Sequence, residues 1–143
     1  KAVTSSGLSP QKYTSDELAA IARFIEKGGN IAITSKADYG DATGEYGNAE
    51  QGNSVLNAIG AKIRFNDDQA TDDVENGGQN FRLYFNDYNT ESSWLNGIDT
   101  TKKYSFYSGS TLVMPKDASN IDVLVKGHST TYGNDADKQG DNT

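Results

Sequence analysis

Hydrophobic and polar positions follow two periods along this chain, and the period changes near its middle. In the first half, Leu18, Ile21, Ala22 and Ile25 recur at i, i+3, i+4 and i+7, one stripe of a helix. Thr14-Ser15-Asp16-Glu17 precedes the stripe as a capping box, a threonine N-cap with a glutamate three residues on. Its acidic pair suits the positive end of the helix dipole. Gly28-Gly29 supplies a left-handed stop, and Asn30-Ile31-Ala32-Ile33-Thr34 follows with the look of a strand buried on both faces. A second helix is predicted over residues 53–59, with Val55, Leu56 and Ile59 inward and Gly60 as its stop. Lys62-Ile63-Arg64-Phe65 alternates as a half-exposed strand does. With residues 2–5 as the end of a first strand, the order is β-α-β-α-β, whose right-handed crossovers imply a parallel sheet.

The second half reads differently. Residues 66–80 are polar and acidic, and Phe81-Arg82-Leu83-Tyr84-Phe85 opens a series of short strands that continues at 104–107, 111–114 and 121–125. Between them, Ser92-Ser93-Trp94-Leu95-Asn96-Gly97-Ile98 reads as a turn pinned by one aromatic anchor. Beyond His128 the only apolar residues are Tyr132 and Ala136, the pattern of a flexible polar tail or an incomplete connection. The expectation is therefore an α/β fold in three layers around a mostly parallel sheet, with extra short strands in its second half. One domain spans 1–127, truncated at its N-terminal strand, and the tail spans 128–143.

Composition narrows the chemistry. A chain of 143 residues suits one domain, and at that size about 68–70% of the unfolded surface can be buried. Cysteine is absent, which removes a disulfide framework, a thiolate zinc site and a cysteine nucleophile. The formal charge of −7 argues against nucleic acid and against an anionic membrane surface. No apolar run approaches the ~20 residues of a membrane span, so no membrane insertion is expected.

Three groups of residues could carry a site. The loop after Ile33 holds Ser35, Lys36, Asp38, Tyr39 and Asp41, and in open parallel sheets ligands bind beyond the carboxyl ends of strands. The acidic segment offers Asp67, Asp68, Asp72 and Asp73, hard oxygen donors of the kind calcium takes, so the only metal cofactor the chain suggests is Ca²⁺. A solvated acidic loop is the plainer reading, and between the two stands one in which Asn66 and Asp67 cap turns while one carboxylate meets Arg64 or Arg82. Asp135-Ala136-Asp137-Lys138-Gln139-Gly140 resembles the first half of an EF-hand loop but has Gln at its fifth position. Tyr39, Tyr46, Tyr84, Tyr88 and Trp94 could stack on the sugar rings of a polysaccharide, although Tyr84 and Trp94 also suit a core.

No catalytic residue emerges. Ser35 lacks the flanking glycines of a nucleophile elbow, Ser108-Gly109-Ser110 lacks a second glycine, and the single histidine, His128, opens the tail. Gly28-Gly29 ends a helix, whereas a phosphate cradle begins one. Nothing singles out a carboxylate pair for glycoside hydrolysis.

The run from Tyr13 through the Gly28-Gly29 stop to Thr34, with Phe65-Asn66-Asp67-Asp68-Gln69 and Trp94-Leu95-Asn96-Gly97-Ile98, resembles class I glutamine-amidotransferase-like domains. The two later segments look like parts of a non-enzymatic branch of that superfamily, which includes intraflagellar-transport-type domains and accessory domains of large secreted bacterial proteins. The resemblance covers most of residues 1–127. It implies a flavodoxin-like fold, an extracellular or cell-surface setting and other modules of the same polypeptide as partners. The amidotransferase cysteine has no counterpart here, so no catalytic residue carries over. The function expected is a non-catalytic accessory domain serving spacing, docking or ligand binding. The alternatives are a degenerate or divalent-cation-dependent hydrolase domain and a carbohydrate-binding module.

Overall fold

The structure, a computed structural model, describes residues 11–37 and 47–134. Helix α1 (Ser15–Glu26) begins on the predicted capping box: Glu17 N–H donates to Thr14 Oγ1 at 3.3 Å, and Thr14 N–H donates to Glu17 Oε2 at 2.8 Å. It ends in a Schellman turn. Gly28 N–H reaches the Ile25 carbonyl and Gly29 N–H the Phe24 carbonyl, with Gly28 at φ +85°. Gly29 leaves room for the Phe24 ring, which occupies the place a Cβ would take. The stripe of Leu18, Ile21, Ala22 and Ile25 is only half-buried, against helix α2 (Asn48–Ala58). That second helix starts earlier than its apolar periodicity indicates, buries Val55 and Leu56, and stops at Gly60 with φ +73°.

The expected three-layer parallel sheet is not what forms. Among the described residues, the named strands are two to four residues long and pair antiparallel in four separate ribbons. Strand β1 (Arg64–Phe65) pairs with β6 (Leu112–Val113), and β2 (Gln69–Thr71) pairs with β8 (Tyr132–Asn134). In the same way β3 (Arg82–Phe85) pairs with β5 (Tyr104–Tyr107), and β4 (Asp87–Tyr88) with β7 (Val125–Lys126). The Ile31–Ile33 run is not a buried strand. Ile31 is 41% exposed, and among the described residues the segment meets a ladder only where Lys36 bridges Gly109. A short apolar run satisfies its backbone as a strand only beside a neighbouring strand, and among the described residues none pairs with residues 31–33, while the first strand expected at residues 2–5 lies outside the described residues. A flavodoxin-like architecture is thereby excluded for the described residues, which form a small, β-rich body with two helices.

Side chains substitute for missing ladder partners. Asn53 on α2 holds β1 by both ends of its amide, donating to the Phe65 carbonyl at 2.9 Å and accepting from Phe65 N–H at 2.8 Å. Gly52 lets the Phe65 ring lie directly on α2. Gly109 is a crossing point: it bridges Lys36 on one side, and its carbonyl accepts from Ala70 N–H at 2.8 Å on the other. The apolar core is small, made of Ala37, Ala49, Val55, Leu56, Ala70 and Leu83. An equally buried polar set, including Asn66, Asp68, Thr71 and Asp72, fills the space around β2. Such groups are tolerated only with hydrogen-bond partners. Trp94 does not anchor its turn. It sits on a single 3₁₀ turn (Ser93–Leu95) and is 76% exposed.

Candidate functional site

The polar centre is built on the short strand β2 and the turns at its two ends. Before the strand, Asp68 is 2% exposed and is held from three directions. Thr111 N–H donates to its Oδ1 at 2.7 Å, while Thr111 Oγ1 and Asn66 Nδ2 donate to Oδ2 at 2.5 and 3.0 Å. Gly133 of β8 packs directly on this carboxylate, where a side chain could not fit. After the strand, Asp72 turns the chain as Asx residues do: its Oδ1 accepts from Val74 N–H and Glu75 N–H, both at 2.8 Å. Its Oδ2 accepts from Thr130 Oγ1 at 2.8 Å and Thr131 Oγ1 at 2.9 Å. Burial alone would raise the Asp72 pKa. The Glu75 and Val74 amides, and then the Thr130 and Thr131 hydroxyls, outweigh it and hold the carboxyl down at about 2.

The four predicted acidic residues thus divide. Asp68 and Asp72 lie inside, Asp67 is half-buried, and Asp73 is exposed, accepting from Asn80 Nδ2 and Tyr132 Oη. Among the described residues, no three His, Asp or Glu side chains converge as a metal-binding group. Neither arginine meets the buried pair. Arg64 donates to the Ala61 and Ile63 carbonyls, and Arg82 lies 5.6 Å from the centre of the Tyr107 ring. Sequence reasoning missed the threonine donors, since nothing local links Thr111, Thr130 or Thr131 to residues 68 and 72. The segment expected as a tail supplies two of them, and its β8 closes on β2.

Of the loop candidates, Ser35 and Lys36 are described, while Asp38, Tyr39 and Asp41 lie outside the described residues, as does the EF-hand-like stretch 135–140. Ser35 Oγ donates to the Lys36 carbonyl at 3.1 Å, a local turn contact and not a link to a base. Lys36 lines a cavity of about 470 Å³ with Tyr13, Ile33, Gln51 and Val55. Among the described residues, the buried Nε2 of His128 has no hydrogen-bond partner, serine hydroxyls included.

A second cavity, about 490 Å³, lies between β3, β6 and residues 121–125. Leu83 and Ala70 are the buried members of its lining, and Phe106, Leu112, Met114, Val123 and Val125 are wall residues that remain exposed. No protein-family model, curated protein or solved structure matches the chain. No helix among the described residues is long and apolar enough to cross a membrane.

Proposed function

We propose that this domain is a non-catalytic accessory module of a larger secreted or cell-surface bacterial protein, docking against another module of the same polypeptide. The observation that supports the reading is the apolar groove beside β3, whose exposed walls of Phe106, Leu112, Met114, Val123 and Val125 leave large hydrophobic side chains in water. The acidic side chains at 68 and 72 support it from the other direction, since their oxygens accept from main-chain amides, threonine hydroxyls and an asparagine amide that hold the body together. The secreted or cell-surface setting rests on the resemblance of residues 65–69 and 94–98 to segments of accessory domains in large secreted bacterial proteins. Hydrogen exchange on residues 112–114 and 121–125 tests it, comparing this chain alone with the full-length protein. Protection gained only in the full-length protein supports docking, and identical exchange in both would falsify it.

Polysaccharide binding is a second reading, favoured by Trp94, which stands 76% exposed on its turn and offers a free ring face. Titration with a polysaccharide panel should then change the fluorescence of this single tryptophan. Emission that stays constant across the panel removes the reading.

A further inference from the structure

Asparagine followed by glycine occurs twice in the sequence, at Asn76-Gly77 and Asn96-Gly97, and the fold treats the two pairs in opposite ways. Each pair carries its own reactants. The main-chain nitrogen after an asparagine can attack that residue's Cγ, and glycine sets no Cβ in the way.

The first pair is tied shut. Asn76 Nδ2 donates to the Asp72 carbonyl at 2.8 Å, and its Oδ1 accepts from Gly78 N–H at 2.9 Å. The attacking group, Gly77 N–H, donates to the Arg82 carbonyl at 2.9 Å. Asn76 also bridges Leu83 of β3, and the Arg82 side chain fills the place where a Cβ on Gly77 would stand. Bringing nitrogen and Cγ together there breaks three hydrogen bonds.

The second pair is open. Leu95-Asn96-Gly97-Ile98 is a type II turn: Asn96 lies at φ −58° and ψ 124°, Gly97 lies at φ +87°, and Ile98 N–H donates to the Leu95 carbonyl at 3.0 Å. Both central residues are exposed. Among the described residues, neither the Asn96 side-chain amide nor Gly97 N–H has a hydrogen-bond partner. Chain neighbours apart, nothing lies within 4 Å of the place a Cβ would take on Gly97. The Asn96 ψ angle must swing away from 124° before the nitrogen meets Cγ, and the hydrogen bond from Ile98 to Leu95 is the contact that swing breaks.

We propose that Asn96-Gly97 is a self-modification site, at which the asparagine converts to isoaspartate and aspartate while Asn76 keeps its amide. The Gly97 nitrogen loses its proton and attacks Asn96 Cγ, the new N–Cγ bond closes a succinimide ring, and Nδ2 leaves with that proton as ammonia. Water then opens the ring. Cleavage of the new N–Cγ bond leaves aspartate on an ordinary main chain. Cleavage of the old peptide bond leaves isoaspartate, with the main chain running through Cβ and Cγ. Either product adds a negative charge to the turn that carries the exposed Trp94. Isoaspartate also lengthens the main chain between Leu95 and Ile98, which removes the hydrogen bond that closes the turn. The inference does not depend on the docking role.

The test is peptide mapping by mass spectrometry of the folded chain aged at mildly alkaline pH, beside a sample aged in guanidinium chloride. In the folded chain the Asn96 peptide should gain the mass of an amide-to-acid exchange. Isoaspartate is told from aspartate by its resistance to a protease that cuts before aspartate. Asn76 should convert at least about tenfold more slowly, because it must break two more hydrogen bonds. In guanidinium chloride the two rates should converge, since the reacting pairs are identical. Asn96→Gln, whose longer side chain closes a ring far less readily, should lose the fast conversion and leave Asn76 unchanged. The proposal is overturned if Asn96 keeps its amide in the folded chain, or if folded Asn76 keeps pace with it. It is equally overturned if Asn76 still lags in guanidinium chloride, because local sequence and not the fold would then set the difference.

Discussion

Asp72 Oδ2 accepts a hydrogen bond from Thr131 Oγ1 at 2.9 Å, across 59 positions of sequence. With Thr130 beside it, this contact ties the turn after β2 to the chain that enters β8. Hydrogen bonds to a charged group contribute roughly 1.5–3 kcal/mol each, and an orphaned donor costs about as much as its desolvation. Asp72→Ala should therefore lower unfolding stability by about 3 kcal/mol or more. Thr131→Val removes one donor of four and should cost about 1.5 kcal/mol. Urea midpoints at neutral pH measure both. Equal midpoints for wild type and Asp72→Ala would mean that the clasp contributes nothing.

The same carboxyl sets an acid limb to stability. Its pKa is lowered from 3.8 to about 2 in the folded protein. A depressed folded value gives stabilisation that is full above the unfolded pKa and is lost as pH falls through the folded one. Wild type should lose the Asp72 contribution between about pH 4 and pH 2. Asp72→Asn should start lower at pH 7 and show a shallower decline over that window. Parallel stability curves for the two proteins would contradict the assignment.

Asn53 predicts a helix-to-strand coupling. Its amide makes both hydrogen bonds that a neighbouring strand would otherwise offer Phe65. Asn53→Ala should cost about 1–2 kcal/mol, from two neutral bonds at roughly 1 each. Amide exchange at Phe65 should accelerate in the variant while exchange within α1 stays constant. Acceleration spread evenly over the chain would instead mean global loosening.

At α1 the expectations are local. Thr14→Ala removes the N-cap acceptor and should cost about 1 kcal/mol. Gly28→Ala puts a side chain at φ +85° and should cost about 1–2 kcal/mol. Far-UV circular dichroism during thermal melts reads both, and a Gly28→Ala protein as stable as wild type would argue against the Schellman stop.

These helix ends were legible in the sequence because their chemistry is contained within a few residues: Thr14 with Glu17, Ile25 with Gly28, and Gly60 after its helix. The locations of β3, β5 and β6 were legible too, from β-branched and aromatic residues, and that of β1 from its alternation of polar and apolar positions. Their partners were not. Strand composition does not encode whether Arg64 lies beside Val113 in antiparallel register or beside a parallel neighbour, and the parallel sheet was inferred from element order alone. Ile31 and Trp94 failed for a related reason. Hydrophobicity says that burial is favourable but cannot say that a surface is available, and both remain substantially exposed. In the acidic segment the residue types pointed to oxygen chemistry. The division into buried Asp68 and Asp72 and exposed Asp73 depended on threonines more than forty positions away.

The pairing of β2 with β8 also orders events in time. Residues 69–71 wait for residues 132–134, and the Asp72 carboxyl waits for the hydroxyls of Thr130 and Thr131. On a ribosome, α1 with its capping box can form as soon as it emerges, while the centre of the domain stays open until nearly the last described residue is made. Closing so long a loop is slow compared with helix formation. A chain stopped short of Thr130 would carry its helix and its early strands and still leave Asp72 in water, so synthesis past that threonine pair is the step that commits the polar centre to fold.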